Sequence, residues 1–299
     1  LGFKSKRIFS SPPKKKIIVF DCESPEALHK LFSPNDTFVL TTRVQKITKL
    51  YISFGLLKFM VINFFKRPLR VNYLIFLIIQ INPKVVITLI DNSPDFHIIS
   101  KLLEKKIKFI AIQQASREVQ WFPKKWTKKF YIPEYYCFGQ FDKKLFLKKT
   151  KVKNIEPKGS LKAACALTYL KKRNIKLNKE FDICLISEIN LVQRNYISEK
   201  KNYWKRDIQD VKDVDHIPTY DDACSKLAKY CFHFAEENNL KIVIAGKGEK
   251  NSKYREQELS WFRNVLNKKN INLKARNEKN FSNYHLMLKS EVVVGMRAS

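Results

Sequence analysis

The sequence predicts an α/β protein built on parallel sheets. Two apolar, β-branched runs, residues 84–90 and 109–112, flank a stretch with the spacing of an amphipathic helix, residues 95–105. Apolar strands that alternate with helices are typical of a parallel sheet covered on both faces. In such sheets ligands bind beyond the carboxyl ends of the strands. The polar segments that follow the two runs, residues 91–94 and 113–117, are therefore the first places to expect a site.

Three further strands are predicted in the first half of the chain, at residues 17–20, 37–40 and 135–138. Each is a short apolar run that ends at a polar residue or a glycine, which is the pattern of a buried strand. A helix is predicted over residues 140–148, after the last of these strands. The lysine-rich residues 148–158 then predict a charged connector at the end of the first domain.

Two segments between these strands are very apolar, residues 51–65 and 74–81. Both are shorter than the roughly 20 residues that a transmembrane helix needs, and Lys58 interrupts the first. We therefore predict two buried helices. The alternative is a helix that rests on a membrane surface, because basic residues flank the first segment. These flanking residues are Lys46, Lys49, Lys66, Arg67 and Arg70.

The second half of the chain repeats the alternation of strands and helices. Its longest predicted helix, residues 220–238, has apolar residues at intervals of three and four, which places them on one face. The other predicted elements are strands at residues 181–186, 240–245, 271–275 and 291–294, and helices at residues 256–267 and 281–288.

At 299 residues the chain suits two domains better than one. We predict two Rossmann-like domains that face each other across a cleft, the first over residues 14–150 and the second over residues 181–299. Residues 151–180 are predicted to form the linker and the start of the second domain. The sequence stops shortly after a predicted strand, where a loop and a helix should follow, so the second domain is expected to be incomplete.

The chain carries 58 Lys and Arg residues against 28 Asp and Glu residues, a formal net charge of +30. One interpretation is a polyanionic partner, such as an anionic membrane, a phosphorylated substrate or nucleic acid. The other is an A/T-rich coding sequence, because Lys, Ile, Asn and Phe are all frequent. The lysines are spread along the whole chain without an arginine-rich arm, which favours a membrane surface or an anionic ligand over nucleic acid.

Cysteine and histidine usage does not indicate a metal site. The six cysteines form no CxxC pair, and the five histidines are scattered singly. This pattern is typical of reduced core thiols in a cytosolic protein rather than of zinc ligands or disulfides. We therefore expect a cytoplasmic protein without a metal. Peripheral attachment to the inner face of the plasma membrane is the alternative that the basic residues suggest.

Five segments, in order along the chain, resemble one bacterial family. They read VVITLIDNSPDFHIIS, FIAIQQASR, EYYCFGQFD, EPKGSLKAA and FSNYHLMLKSEVVVGMRAS. They resemble the surface-carbohydrate biosynthesis family, a group of GT-B-like glycosyltransferases similar in outline to the CDP-glycerol glycerophosphotransferases. Gln114 and Ala115 stand where that family has Asn-Gly. The resemblance implies transfer of a sugar or sugar-like group from a nucleotide-activated donor to a cell-surface polysaccharide or a lipid-linked glycan.

The resemblance also implies a donor site in the second domain. Small residues at a turn between a strand and a helix let backbone N–H groups approach a phosphate, whose charge the helix N-terminus stabilises. Lys247 would supply a cation to the leaving phosphate. The predicted donor-binding residues are Gly159, Ser160, Gly246, Lys247, Ser290, Gly295 and Ser299. The alternatives are an ordinary strand-ending turn at residues 246–248 and a simple helix cap at Gly159 and Ser160.

The acceptor hydroxyl needs a base, which is expected on the first domain. Asp91 is the first candidate because it follows a central strand, and His97, on the first turn of the next helix, is the second. The predicted acceptor contacts are Asn92, Gln113, Ser116 and Arg117. Arg117 suits this role because guanidinium pairs bidentately with phosphate or carboxylate. In the alternative interpretations Asp91 caps the following helix, His97 packs into the core, and Arg117 forms a surface ion pair.

Three functional hypotheses remain. The first is a metal-independent transferase that needs no cofactor beyond its nucleotide-sugar substrate, because no acidic pair stands in a suitable loop. The second is a GT-B-shaped nucleotide-sugar 2-epimerase, which would act on the donor alone. The third is a non-enzymatic basic protein that binds nucleic acid or anionic lipid through charge, and its affinity would fall steeply with salt.

Overall fold

The computed structural model describes residues 6–20, 32–40, 49–115, 130–189, 220–277 and 280–295. Strands and helices alternate through most of these ranges, and the strand pairs within them are parallel. The predicted α/β class with parallel sheets is therefore confirmed. The chain divides into two compact units, Leu1–Ala164 and Cys165–Ser299.

The first unit is built around a six-stranded parallel sheet. Its elements in chain order are β1 (Lys6–Ile8), β2 (Ile17–Phe20), β3 (Thr37–Leu40), β4 (Lys49–Tyr51), α1 (Phe54–Ile62), α2 (Leu69–Ile81), β5 (Val85–Thr88), α3 (Pro94–Leu103), β6 (Lys108–Ile112), β7 (Tyr131–Cys137), α4 (Gln140–Lys149), β8 (Lys151–Pro157) and α5 (Leu161–Lys172), which continues into the second unit. The strand order is β3–β2–β5–β6–β7–β8, so the order reverses between β2 and β5. β1 and β4 form a separate parallel pair.

Helix α2 lies at the centre of the hydrophobic core of the first unit. It is apolar on nearly all sides, and such a helix is stable only when protein covers it. Nine of its 13 residues are buried, in one cluster with Phe20, Val86 and Phe96. The predicted buried helix over residues 74–81 is confirmed, and it begins earlier than predicted, at Leu69 after the proline.

The segment over residues 51–65 does not form the predicted buried helix. Helix α1 has a single buried residue, Leu56. One edge of α1 rests on α2, where the rings of Phe59 and Phe76 lie 5.6 Å apart. The prediction was wrong because apolar composition does not say how much of a helix its neighbours can cover. In the described part of the chain, no helix has both the length and the apolar character needed to cross a membrane.

Residues 151–157 form β8, the edge strand of the six-stranded sheet, where the sequence predicted a charged connector. β8 pairs with β7 along its whole length, from Lys151 opposite Tyr131 to Pro157 opposite Cys137. An edge strand has one side open to solvent, so it tolerates the lysines that suggested a connector. The connector prediction is therefore wrong for this segment.

The second unit is built around a four-stranded parallel sheet. Its elements are β9 (Phe181–Ile186), α6 (Tyr220–Glu237), β10 (Ile242–Glu249), α7 (Lys253–Leu266), β11 (Leu273–Arg276), α8 (Ser282–Leu288) and β12 (Ser290–Val294). The order is β11–β10–β9–β12, with a reversal between β9 and β12. Each of these elements overlaps a predicted strand or helix of the same type. Their core contains Leu185, Ile244 and Phe262.

Strand β10 runs on to Glu249, beyond the point where the sequence placed its end, and its register against β11 shifts in this last part. Two glycines in it leave no room for a side chain. A Cβ on Gly246 would lie 2.8 Å from the backbone oxygen of Lys274, and a Cβ on Gly248 would lie 2.6 Å from Cα of Arg255. Both glycines therefore allow β10 to pack closely against β11 and α7.

The variant Gly248→Ala should lower the free energy of unfolding by about 1–3 kcal/mol, because the added methyl group would overlap the backbone of Arg255. Gly55→Ala is the control, since a Cβ there makes only ordinary contacts, the nearest at 3.8 Å. Alanine is also favoured over glycine within a helix. Urea unfolding of both variants measures the difference, and equal destabilisation would contradict the close packing at Gly248.

Candidate functional site

Polar side chains follow the strands at which the order of each sheet reverses. In the first unit Asp91 lies just beyond the carboxyl end of β5, which is next to β2. In the second unit Ser187 and Glu188 follow β9, and Gly295 follows the neighbouring β12. Open α/β sheets bind ligands at such reversals, in the crevice outside the carboxyl ends of the strands. Each unit therefore has one candidate position for a ligand.

Asp91 is fully buried beyond β5. The hydroxyl of Tyr135, from β7, donates a hydrogen bond to its Oδ2 at 2.7 Å. The hydroxyl that caps α3 belongs to Ser93, whose Oγ accepts from the backbone N–H of Phe96 at 3.5 Å. Asn92 lies in the same turn and is half-buried. The carboxylate of Asp91 is thus held in place by the sheet, at the predicted end of a central strand.

Gln113 connects the end of β6 to the beginning of α4. Its Nε2 donates to Oδ1 of Asp142 at 2.7 Å and to the carbonyl of Ala115 at 3.1 Å. Its Oε1 accepts from the backbone N–H of Phe138 at 2.8 Å. The side chain is buried, and both ends of its amide are engaged within the protein. Its position therefore gives it a structural role rather than the predicted contact with an acceptor.

His97 lies in the core, as in the alternative interpretation of the sequence. It is 1% exposed, its ring lies 4.1 Å from that of Phe130, and its Nδ1 is 3.0 Å from the carbonyl of Tyr131. Burial lowers the pKa of His97 to about 4, while the backbone groups of Tyr131 and Asp91 act in the opposite direction. These surroundings keep the imidazole neutral and out of contact with solvent, and the lowered pKa makes it a weaker base than a free imidazole.

A buried carboxylate that the sequence analysis did not single out organises the second unit. Glu258, on α7, is fully buried. Its Oε1 accepts from the hydroxyl of Ser187 and from the backbone N–H of Lys247, the latter at 2.9 Å. Its Oε2 accepts from the backbone N–H of Gly248 at 3.1 Å. The backbone N–H groups of Lys247 and Gly248, beside the side chain that the sequence proposed as a cation for the phosphate, therefore bind a carboxylate of the protein itself.

Sequence patterns offered only a weak signal for Glu258. It lies on a helical face with Trp261 and Phe262, which are buried apolar residues. A carboxylate on an apolar helical face predicts a buried partner, because an ionised group is stable there only when hydrogen bonds replace water. The identity of the partners depends on β10 and on the residues after β9, which helical periodicity does not reveal.

The side chain of Lys247 lies near the carboxyl end of β10 in the second sheet. Its Nζ is 3.4 Å from the carbonyl of Ile189, which also accepts a hydrogen bond from the hydroxyl of Tyr254. Partial burial of the amine lowers the pKa of Lys247, while the carboxylates of Glu188 and Glu258 act in the opposite direction. The amine therefore lies within the field of two carboxylates at the carboxyl ends of the strands.

Gly295 adjoins this group of charged residues. A Cβ at Gly295 would lie 3.0 Å from Oε1 of Glu188, so the end of β12 passes directly beside that carboxylate. A cavity of about 20 Å³ is lined in part by Glu188, Trp261 and Cys224. This cavity is far smaller than the roughly 300–1,000 Å³ of a typical ligand pocket.

The structure does not bring all the predicted donor residues together. Ser290 begins β12, at the opposite edge of the sheet from Gly295, and its Oγ donates to the carbonyl of Leu286 at 2.8 Å. Gly159 and Ser160 follow β8 of the first sheet, where Ser160 accepts from the N–H of Ala163 at 3.3 Å and caps α5. Of the predicted donor residues, Gly246, Lys247 and Gly295 lie at the carboxyl edge of the second sheet. The predicted residues Ser116, Arg117 and Ser299 lie outside the described residues.

The described residues contain no group of three or more His, Cys, Asp and Glu side chains that could hold a metal ion. No protein-family model matches the chain, and no curated protein matches it. The candidate sites therefore rest on the geometry of the described residues and not on similarity to known proteins.

The free energy of unfolding should fall as the pH drops from about 6.5 to about 4, because unfolded His97 binds a proton in that window and folded His97 does not. The loss from this residue is at most about 3 kcal/mol. His97→Asn retains an N–H donor for the Tyr131 carbonyl and removes the titratable imidazole. Urea unfolding of both proteins across this range measures the difference. Parallel pH profiles would show that His97 is not a buried neutral imidazole.

Proposed function

We propose that the protein is a GT-B-type glycosyltransferase, which transfers a sugar or sugar-like group from a nucleotide-activated donor to a cell-surface polysaccharide or a lipid-linked glycan. The observation that carries the proposal is the presence of two parallel-sheet units, each with polar residues where its strand order reverses. Transfer between two substrates requires two binding regions, and each unit supplies one such position. In this proposal the two units face each other across a cleft.

The donor nucleotide is proposed to bind at the carboxyl edge of the second sheet. Lys247 would bind the phosphate groups of the donor and stabilise the charge that develops on the leaving nucleotide. Glu188 would accept hydrogen bonds from the ribose hydroxyls, as acidic residues do beside other parallel sheets. Gly295 lies beside this carboxylate, since a Cβ there would be 3.0 Å from Oε1 of Glu188. Glu258 would hold the backbone of Lys247 in position.

The acceptor is proposed to bind at the carboxyl edge of the first sheet, with Asp91 as the base and Asn92 beside it. Tyr135 would orient the carboxylate through its hydrogen bond. Because Asp91 is fully buried, this role requires the turn that contains Asn92 to open when the acceptor binds. Ser116 and Arg117, which follow β6 in the sequence, are proposed acceptor contacts.

A thermal-shift panel of CMP, CDP, UDP, GDP and dTDP tests the donor site, because a ligand that binds only the folded state raises the unfolding temperature. One nucleotide should stabilise the protein selectively. Lys247→Met should weaken its affinity about tenfold or more, as expected for the loss of a hydrogen bond to a charged group. Lys250→Met, at an exposed lysine just beyond β10, should bind as the unchanged protein does. Equal losses in both variants, or no stabilisation of a folded sample, would count against the proposal.

The rate of sugar transfer tests the proposed role of Asp91 as the base. Asp91→Asn should lower kcat by about 10²–10⁴-fold, the usual contribution of a general base, and should leave nucleotide affinity unchanged. Tyr135→Phe keeps the carboxylate and removes only its hydrogen bond, so its loss of kcat should be smaller. Circular dichroism would establish that both variants are folded. Full turnover by Asp91→Asn would remove Asp91 from the mechanism.

A further inference from the structure

Helix α1 presents an apolar face to solvent. Phe54 and Val61, on the same side of the helix, are 85% and 77% exposed, and Phe65 in the following turn is 95% exposed. The α1 surface, as we define it, consists of Phe54, Leu57, Val61, Ile62, Phe64 and Phe65, all large apolar residues that are exposed. Single exposed apolar residues are common, but a contiguous group of them marks an interaction site.

The α1 surface is held firmly on the first unit. Leu56 is buried in the core cluster, and Phe59 packs against the ring of Phe76. The turn after α1 is fixed by Asn72 of α2, which is fully buried and donates through Nδ2 to the carbonyl of Asn63 at 2.6 Å. The exposed side chains therefore belong to a helix that is anchored from its other side.

The sequence that contains the α1 surface is basic. Between Asp36 and Asp91 the sequence has no acidic residue and eight basic ones, which are Arg43, Lys46, Lys49, Lys58, Lys66, Arg67, Arg70 and Lys84. Lys58 is exposed between Leu57 and Val61, and Lys66 is exposed next to Phe65. Neither lysine forms an ion pair with another described residue, whereas Arg70 pairs with Asp95 at 2.8 Å. Cations are thus interleaved with the exposed aromatic and aliphatic side chains.

We infer that the α1 surface docks on an anionic lipid bilayer. Exposed Phe, Leu, Val and Ile side chains favour the boundary between headgroups and acyl chains, and the lysines beside them attract lipid phosphates. The short helix would lie along the interface, with its buried edge still packed on α2. The complementary partner is an anionic surface, because residues 37–90 include eight basic residues and no acidic one. The inference does not depend on the proposed transferase activity, since lipid binding is measured without donor or acceptor.

Co-sedimentation of the full chain with vesicles tests the apolar contribution. The vesicles are phosphatidylcholine alone or phosphatidylcholine mixed with phosphatidylserine. Binding should require phosphatidylserine, and Phe65→Asp should reduce it by at least about tenfold, because an ionised side chain is costly at the acyl boundary. Phe141→Asp is the matched control, since Phe141 is 71% exposed on α4 and the variant has the same net charge. Equal binding by the two variants would overturn the inference.

A pair of charge variants separates the α1 surface from the general basicity of the chain. Lys58→Gln with Lys66→Gln should lower the partition coefficient by about an order of magnitude, as expected for two lysines near an anionic surface. Lys144→Gln with Lys148→Gln removes the same charge from exposed positions on α4 and should have a much smaller effect. Equal losses would overturn the inference in favour of non-specific attraction. Lipid-free self-association that Phe65→Asp abolishes would also overturn it, because the surface would then bind a second copy of the chain.

Discussion

Parallel strand pairing is the constraint on which the rest of this structure depends. Strands that run in the same direction can be joined only by crossover segments, and these segments cover the faces of the sheet. All the carboxyl ends then lie along one edge, so the polar residues that follow different strands meet there. This geometry explains why Asp91 in the first unit and Glu188 in the second lie at the carboxyl edges of their sheets. It also explains why Ser290, at the amino end of its strand, is remote from the same site.

The second unit shows how a protein group can occupy the kind of position that is expected for a phosphate. Successive backbone N–H groups attract any anion, and in this chain the anion is the carboxylate of Glu258. The carboxylate couples β10 to α7 and leaves the side chain of Lys247 at the edge. A glycine-rich segment in a sequence is therefore ambiguous. Its N–H groups serve a ligand only if the protein does not fill the same space with a group of its own.

Several buried polar residues of the first unit stabilise the fold through contacts within the protein. The amide of Gln113 joins β6 to α4, and the imidazole of His97 packs against Phe130 in the core. Both lie in or near the segments that sequence reasoning associated with an acceptor site. Near the edge of a parallel sheet, polar residues are needed to satisfy the backbone where the strands end. A polar residue after a strand can for this reason be a structural link instead of a ligand contact.

Local pattern determined most of the secondary structure of this protein, and only the tertiary structure decided the pairing of residues 151–157 and which surfaces are covered. The spacing of apolar residues identified β5, α3, β6 and nearly all of the second unit, because periodicity is a property of neighbouring residues. The role of residues 151–157 depended on β7 as a pairing partner, and the exposure of α1 depended on how much of it α2 could cover. The placement of Glu258 beside Lys247 joins residues that come from different elements. Contacts of this kind arise from packing between distant segments, which the order of residues within one segment does not encode.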